Sequence, residues 1–209
     1  NTIVTSDLGE KIASKYGVET EKTLTGFKFI GEKVAKYEKT QAKNYVFGYE
    51  ESYGSLIKPF VRDKDAPQAC LMLAEAACFY KAQGKTLVDV LNGLYAELGY
   101  YKESQTSLKL EGQEGAMRIK QILSDLRASD VTEIAGEAVV RFEDYKECII
   151  KEKDAVRELT GFTKSDVLKY YLADGSWIAI RPSGTEPKCK FYYCVKGTSL
   201  ADAHEKTLA

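Results

Sequence analysis

The segment from residue 181 to residue 188 contains the residue types that a phosphate-binding loop requires: Arg181-Pro182-Ser183-Gly184-Thr185-Glu186-Pro187-Lys188. The guanidinium of Arg181 presents a planar fork of N–H donors that matches phosphate oxygens. Ser183 and Thr185 add hydroxyl donors, and the backbone N–H groups around Gly184 can converge on the same anion. The segment therefore predicts an anion site, with Arg181 at the end of a strand expected over residues 176–180.

An ordinary turn is the alternative interpretation of this loop, because Pro, Ser, Gly and Thr are the usual residues of turns. A cluster of cations argues against a plain turn, which needs no such charge. Arg181, Lys188 and Lys190 surround a loop that has little other side-chain bulk. Lys190 is therefore included among the predicted phosphate-binding residues.

A second polar segment, Gly48-Tyr49-Glu50-Glu51-Ser52-Tyr53-Gly54, directly follows a predicted buried strand. Ligand-binding loops of α/β folds follow the carboxyl ends of strands. Glu50 and Glu51 can accept hydrogen bonds, and the Ser52 hydroxyl can donate and accept, which suits the vicinal hydroxyls of a sugar. A solvated acidic turn is the alternative. Since adjacent side chains usually point in different directions, both glutamates need not reach one ligand.

A third cluster, Arg62-Asp63-Lys64-Asp65, precedes a predicted helix. The N-terminus of a helix favours anions through its dipole and its free N–H groups. Arg62 and Lys64 are therefore predicted to contact the substrate, and Lys64 could transfer a proton if it is buried or lies beside other cations. Ion pairing on the surface is the alternative for such a cluster.

Composition narrows the remaining classes of function. The chain has 209 residues, of which 30 are basic and 31 acidic, so its formal net charge of −1 favours neither nucleic acid nor an anionic membrane. No apolar run approaches the roughly 18 residues of a membrane span and no leader opens the chain, which predicts a cytoplasmic protein. Five scattered cysteines predict reduced thiols, and the single histidine, His204, excludes a His-based triad or a multi-histidine metal site.

Two domains are predicted, over residues 1–102 and 103–209. In the first, strand and helix patterns alternate, which predicts an α/β domain with a mixed, mainly parallel sheet and helices on both faces. The nearly all-apolar helix after Asp65 is expected to be buried on most sides. Helices are also expected after Ser6, Thr25 and Thr86, and strands at residues 2–5, 18–23 and 45–48.

The second domain is predicted to be α+β, with an antiparallel sheet and two helices. Its charged segment at residues 146–158 is expected to be a solvated helix or an excursion from the fold. Both ends of the chain interrupt a pattern, so we expect a piece of a longer protein. The strands of this domain are expected at residues 107–110, 138–142, 167–172, 176–180 and 190–195, with a hairpin turn at Gly175.

Together, the segments at residues 48–54, 61–65 and 181–188, in this order and spacing, closely resemble the α-D-phosphohexomutases. The segments Thr23-Leu24-Thr25-Gly26-Phe27-Lys28 and Gly99-Tyr100-Tyr101 resemble the phosphoglucomutase and phosphopentomutase branch. Members of the family have four domains, and the resemblance places this chain on the third and on the fourth, TBP-like domain. It implies that a phosphorylated serine belongs to the first domain and an Asp-rich Mg²⁺ loop to the second. In this chain, Asp63 and Asp65 lack the third carboxylate of such a loop.

The resemblance also implies roles for the candidate residues. Glu50 and Ser52 would contact sugar hydroxyls with Glu51 beside them, and Lys64 would lie near the reacting hydroxyl. The phosphate that is not transferred would be bound by the 181–188 loop, through Arg181, Ser183, Gly184 and Thr185.

The resemblance therefore implies that the whole enzyme interconverts hexose 1-phosphate and hexose 6-phosphate. Mg²⁺ is the expected cofactor, and hexose 1,6-bisphosphate is the expected intermediate. The enzyme's expected partners are a small phosphosugar and the N-terminal domains of the same protein, without nucleic acid or membrane, and this chain alone is expected to be inactive. Phe27, and Tyr53 or Ser55, stand where some branches have histidines, which argues against a mannose-selective enzyme. A non-catalytic phosphosugar-binding module is the alternative.

Overall fold

The computed structural model describes residues 1–153, 155–183 and 186–208. The chain divides into two compact units, Asn1–Gly99 and Tyr100–Ala209, whereas the sequence analysis placed the boundary after residue 102. Residues 100–102 belong to the second unit because they begin a long strand of its sheet. Each unit is described by itself.

Four helices and one short hairpin account for the regular structure described in the first unit. The hairpin carries the predicted sugar-binding segment, and two of the helices follow it. The elements are α1 (Leu8–Lys15), α2 (Phe27–Thr40), β1 (Gly48–Tyr49), β2 (Ser55–Leu56), α3 (Ala66–Lys81) and α4 (Leu87–Leu98).

The mainly parallel sheet predicted for this unit is wrong for the described residues. The parallel pairing is a single bridge between Thr2 and Thr23, and β1 pairs with β2 in antiparallel fashion. The predicted strand at residues 2–5 is instead a turn, in which the Thr5 N–H donates to the Thr2 carbonyl at 3.2 Å and the two hydroxyls lie 2.8 Å apart. Such local side-chain and backbone bonds compete with strand pairing.

The predicted helix starts in the second half of this unit are confirmed. Asp65 caps α3 by accepting from the Gln68 N–H at 3.1 Å. Thr86 and Asp89 form a reciprocal capping box at the start of α4. Both caps depend on residues three positions apart, so they are readable from local sequence.

The predicted burial of α3 on most sides is wrong. None of its described residues is buried, and Leu71, Leu73 and Phe79 are 72%, 61% and 62% exposed. The main neighbours of α3 are β2 and α4, and they cover only part of its surface. The core of the unit lies instead around α2, where Phe27 and Ile30 pack with Leu56.

The second unit is built on a large antiparallel sheet with two helices, as predicted. The strand order is β3-β10-β9-β8-β5-β6-β7, with β4 paired to β5 beside this path. The hairpin turn at Gly175 is confirmed, with a φ of 90° that glycine tolerates. The elements are β3 (Tyr100–Lys109), α5 (Gly112–Ala128), β4 (Glu133–Ile134), β5 (Glu137–Asp144), β6 (Ile149–Glu152), β7 (Ala155–Glu158), β8 (Leu168–Leu172), β9 (Trp177–Pro182), β10 (Lys188–Gly197) and α6 (Leu200–Leu208).

One face of this sheet packs against α5. Ile119 and Leu123 of α5 contact buried residues of the central strands, which are Leu168, Tyr170, Ile180 and Cys189. The charged segment at residues 146–158 contains strands β6 and β7, so the solvated helix considered for it is wrong. β-Branched Ile149 and Ile150 fit a half-buried strand, and β6 extends the sheet by pairing with β5.

Candidate functional site

The predicted sugar-binding segment forms the tip of the β1–β2 hairpin. The Glu50 N–H donates to the Gly54 carbonyl at 2.8 Å, which closes the loop. Tyr53 has a φ of 57° and a fully exposed side chain. A Cβ atom at Gly54 would lie 2.2 Å from Cδ of Lys64, so the glycine leaves space for the lysine to pass. The hairpin therefore brings Lys64 against the loop that carries Glu50.

Glu50 is the most firmly held side chain of this loop. Its Oε1 accepts from the Gly26 backbone N–H at 2.8 Å, at the N-terminus of α2. Its Oε2 lies 3.9 Å from Nζ of Lys64, and the side chain is only 9% exposed. A carboxylate has more acceptor positions than these two contacts occupy. Glu50 is thus fixed in orientation and still able to accept hydrogen bonds from a ligand.

Glu51 and Ser52 do not share the contacts of Glu50. The Glu51 Oε2 accepts from the Thr2 hydroxyl at 2.9 Å, which directs this carboxylate toward the start of the chain. Ser52 is exposed. The two adjacent glutamates therefore have separate partners, as expected for neighbouring residues in an extended loop.

Lys64 lies beside two carboxylates and an aromatic ring. Its Nζ is 3.1 Å from Oδ1 of Asp63 as well as 3.9 Å from Glu50. The same Nζ lies 5.7 Å from the centre of the Phe27 ring. The side chain is 46% exposed, so it remains accessible to a ligand at the hairpin.

Arg62 is not brought into this group. Its guanidinium forms an ion pair with Glu38 of α2 and donates to the Pro59 carbonyl. The first contact directs the guanidinium toward α2, and the second holds it against its own loop. The structure thus brings together Glu50 and Lys64, and places Arg62 on a separate ion pair.

The start of α3 fixes the base of the hairpin. The Asp65 N–H donates to the Ser55 carbonyl at 2.9 Å. The Gln68 side chain accepts from the N–H groups of Ile57 and Lys58, at 3.2 Å and 2.6 Å. These bonds join β2 to the helix, so the position of Lys64 is set by elements on both sides.

The predicted phosphate loop lies between β9 and β10 in the second unit. Arg181 pairs directly with Lys190 across these strands, and Lys190 pairs with Ser107 of β3. Lys188 pairs with Lys109 of β3. Since paired residues and residues two apart share one face of a sheet, Arg181, Lys188, Lys190 and Lys109 are on the same face. This face, which we call the cationic face, is opposite to the one that α5 covers.

The described part of the loop is held by hydrogen bonds that backbone N–H groups donate. The Ser183 N–H donates to the Lys188 carbonyl at 2.8 Å, and the Glu186 N–H donates to the Ser183 hydroxyl at 3.3 Å. The Pro187 carbonyl accepts from the Leu110 N–H at 3.0 Å. The predicted contacts at Gly184 and Thr185 lie outside the described residues.

Glu186 lies among the cations of this face. It forms an ion pair with Lys188. The hydrogen bond from Lys188, and the attraction of Lys188, Lys109 and Lys190, hold the pKa of Glu186 below its ordinary value. The carboxylate is thus stabilised by the same cations that define this face.

Three contacts at these loops were not predicted from the sequence. The Gly26 N–H binds Glu50, the Thr2 hydroxyl binds Glu51, and Lys109 joins the cationic face. The first could have been inferred from the glycine at the start of an amphipathic helix. The other two depend on pairings between distant segments, for which the sequence carries no local signal.

The described residues contain no group of three or more His, Cys, Asp or Glu side chains arranged to hold a metal ion. Within the same residues, every helix is too short or too polar to cross a bilayer.

Two family models match the chain. Residues 1–98 match "Phosphoglucomutase/phosphomannomutase, alpha/beta/alpha domain III". Residues 124–205 match "Phosphoglucomutase/phosphomannomutase, C-terminal domain". The two matches follow the order of the two units and confirm the predicted family resemblance.

Individual proteins give the same result. Phosphoglucomutases of Staphylococcus aureus strains bovine RF122 / ET3-1 and MRSA252 are each 39% identical over 207 residues. Those alignments cover 98% of this chain and 37% of each relative. Among solved structures, the open form of the phosphoprotein pp63/parafusin from Paramecium, a phosphoglucomutase, aligns with a TM-score of 0.59 at 19% identity. That match covers 99% of this chain and 36% of the other, and it supports the fold alone.

Proposed function

Because the chain belongs to the phosphoglucomutase/phosphomannomutase family, we propose that it is the sugar- and phosphate-binding part of a phosphohexomutase. The whole enzyme would interconvert hexose 1-phosphate and hexose 6-phosphate through a phosphoserine and a bisphosphorylated sugar. The chain spans 37% of the length of its Staphylococcus aureus relatives. The phosphoserine and the Mg²⁺ ligands would belong to other domains, and this chain by itself would be inactive.

The cationic face is the observation that carries this proposal. It gathers Arg181, Lys188, Lys190 and Lys109 on adjacent strands, with Lys188 and Lys109 directly opposite each other. Like charges in that arrangement destabilise a sheet. A bound phosphate would offset the repulsion and accept charge-assisted hydrogen bonds from Arg181. Glu186 is the one described carboxylate of this loop. It offsets the repulsion less than a phosphate would, because it carries a single charge.

Glu50 would bind the sugar. The contact with the Gly26 N–H fixes the Glu50 carboxylate. Its remaining lone pairs can therefore accept hydrogen bonds from a ligand without a further loss of side-chain conformational entropy. Pairs of hydroxyls on a hexose ring are donors of the kind that it can accept. Ser52, exposed at the tip of the loop, would add a contact to the same ring.

Lys64 would act on the hydroxyl that gains or loses the phosphoryl group. Its ammonium lies within 3.9 Å of Glu50, so a sugar bound by the carboxylate would lie within reach of the amine. Phosphoryl transfer depends mainly on positioning and charge stabilisation, which a cation at this position supplies. Because the bisphosphate must turn over between the two half-reactions, either phosphate would be bound in turn by the same anion loop.

Binding of glucose 6-phosphate to this chain tests the phosphate assignment. Isothermal titration calorimetry on the Arg181→Ala variant is expected to show roughly ten- to hundred-fold weaker binding, the value of hydrogen bonds to a charged group. Arg157→Ala is the matched control, because Arg157 is an exposed arginine whose ion pair is with Glu152. Equal affinity of Arg181→Ala and Arg157→Ala would refute the assignment.

Activity is tested separately from binding. The chain alone, free of contaminating mutase, is expected not to interconvert glucose 1-phosphate and glucose 6-phosphate. A chimera in which it replaces the matching 37% of the Staphylococcus aureus phosphoglucomutase is expected to be active. Activity of the isolated chain would contradict the division of labour, and an inactive but folded chimera would contradict the enzyme assignment.

A further inference from the structure

A polar pocket lies in the second unit, on the face of the sheet that α5 packs against. Its volume is about 180 Å³, and it is bordered by the connection after α5 and by β5, β6 and β8. That volume is below the roughly 300–1,000 Å³ of pockets that enclose drug-sized ligands. The pocket thus has room for a small group. Its lining includes Lys151, Lys153, Tyr170, Phe142, Thr132 and Asp130.

Strand register explains why these residues meet. Phe142 of β5 pairs with Lys151 of β6 on one side and with Tyr170 of β8 on the other. The three side chains therefore form a row on one face. The Lys151 Nζ lies 5.6 Å from the centre of the Phe142 ring, whose centre is 4.9 Å from that of Tyr170. The Phe142 ring lies between Lys151 and Tyr170, and all three residues line the pocket.

The Tyr170 hydroxyl has no hydrogen-bond partner among the described residues, although the side chain is only 3% exposed. A buried polar group without a partner costs free energy, so its retention calls for a ligand. Burial, reinforced by Asp144, raises the pKa of Tyr170 to about 12. The hydroxyl is therefore a proton donor over the ordinary pH range.

Three basic residues line the pocket, and one of them, Arg141, is ion-paired with Glu143. The other two are lysines. Lys151 is half-buried and Lys153 is exposed at its rim. Neither forms an ion pair with a residue that the structure describes, whereas Asp130 is an exposed carboxylate in the lining. A neutral buried donor and two ammonium groups without a described ion pair line the same pocket, and this combination fits an anion and not a cation.

We propose that this pocket binds a small oxyanion, either a phosphate group or a carboxylate group of a metabolite, through Tyr170, Lys151 and Lys153. The Tyr170 hydroxyl would donate to one oxygen, and the two ammonium groups would neutralise the charge. The site is distinct from the loop at Arg181, and the inference does not rest on the proposed function.

Titration of inorganic phosphate and of acetate, each followed by amide NMR, tests the site and separates the two sources of oxyanion. The Arg181→Ala variant serves as the parent protein, so that binding at the loop does not contribute. Ionic strength is held constant with sodium chloride. Saturable shifts are expected for residues 129–132 and 151–153 with at least one of the anions. The absence of saturable shifts with both would overturn the proposal.

Tyr170→Phe separates a binding role from a structural one. Loss of the hydroxyl is expected to weaken anion binding roughly ten-fold. The thermal midpoint of the protein without added anion is expected to be unchanged or higher, because the substitution removes an unpartnered polar group. Unchanged anion affinity in this variant would refute the role of Tyr170.

A charge variant keeps the proposal testable if Tyr170→Phe fails to fold. Replacing Lys151 and Lys153 together by glutamine is expected to abolish the saturable shifts. Lys146→Gln, an exposed lysine of the same unit outside the pocket lining, is the matched control and is expected to bind like the parent. Equal affinity of the double variant and the control would also overturn the proposal.

Discussion

At the scale of single residues, neighbouring side chains of one type can have different environments. Glu50 is held between the Gly26 N–H and Lys64, whereas Glu51 accepts from the Thr2 hydroxyl. Only the partners distinguish them, since the two residues are identical and adjacent. The sequence could identify both as candidates for sugar binding. It could not assign them different contacts, because those contacts come from segments far away in the chain.

Glu21 shows how partners also set ionisation. Its carboxylate accepts from the Tyr37 hydroxyl at 2.5 Å and from Lys43 at 2.7 Å, and forms an ion pair with Lys33 at 2.9 Å. Partial burial acts to raise the pKa, but the hydrogen bonds from Lys43, Tyr37 and Lys33 outweigh it and lower the pKa of Glu21 to about 2. The folded carboxyl group thus stays ionised at pH values at which an unfolded one is protonated.

This shift predicts a loss of stability in acid. The unfolded state binds the extra proton first, so Glu21 stabilises the fold fully above pH 4.5 and progressively less as the pH falls to about 2. We expect Glu21→Gln to be destabilised relative to the parent above that range, with a difference that shrinks within it. Urea unfolding, followed by amide NMR signals of residues 1–99, measures the difference.

Glu32→Gln is the control, because Glu32 is exposed on α2 of the same unit. It is expected to follow the parent protein at every pH. A Glu21→Gln variant that matches the parent above pH 4.5 would show that the carboxylate contributes no net stability.

At the scale of elements, helix caps were predictable from local sequence, whereas the pairing of distant segments was not. The caps at Asp65 and at Thr86 with Asp89 were predicted correctly because each joins residues three positions apart. The solvated helix considered as one alternative for residues 146–158 was wrong, although β6 pairs with its chain neighbours β5 and β7. The parallel strands of the first unit were also wrong, since the pairing of distant segments leaves no local signal in the sequence. Lys109 was missed for the same reason: it joins the cationic face only through the register of β3 with β10.

Helix α4 allows two substitutions with opposite expected effects. Thr86→Ala removes the hydroxyl that accepts from the Asp89 N–H at 3.1 Å, and is expected to cost about 0.5–2 kcal/mol. Gly93 lies inside α4 with no atom within 4 Å of an added Cβ, so Gly93→Ala is expected to stabilise by about 0.5–1 kcal/mol. Free energies of unfolding from urea titrations give both values. Changes of the same sign would contradict this account of the helix.

At the scale of the whole molecule, α3 presents large apolar side chains that its neighbours in the first unit leave uncovered. Its large apolar side chains include Leu71, Leu73 and Phe79, all more than 60% exposed. The sequence identified the helix as apolar, but an apolar composition cannot tell what covers it. Contiguous apolar surface of this kind is uncommon on proteins that remain monomeric.

We therefore expect the chain to self-associate through α3 as its concentration rises. Burying one large apolar side chain contributes about 1.5–3 kcal/mol, so a few such contacts suffice for measurable association. Sedimentation velocity over a concentration series should show a rising apparent mass. The double variant with Leu71→Glu and Phe79→Glu should remain monomeric, whereas Val156→Glu, at a valine 66% exposed on β7, should associate like the parent.

Thiol reactivity provides an independent test of where the chains meet, because α3 also carries two exposed cysteines, Cys70 and Cys78. If α3 is the contact, both thiols react quickly with a labelling reagent in dilute solution and more slowly at concentrations at which the chain associates. Cys189 and Cys194 are buried in the second unit and should react slowly throughout. Burial also raises the pKa of Cys189 to about 11, which keeps little of the reactive thiolate near neutral pH. Association without protection of Cys70 and Cys78 would place the contact elsewhere on the chain.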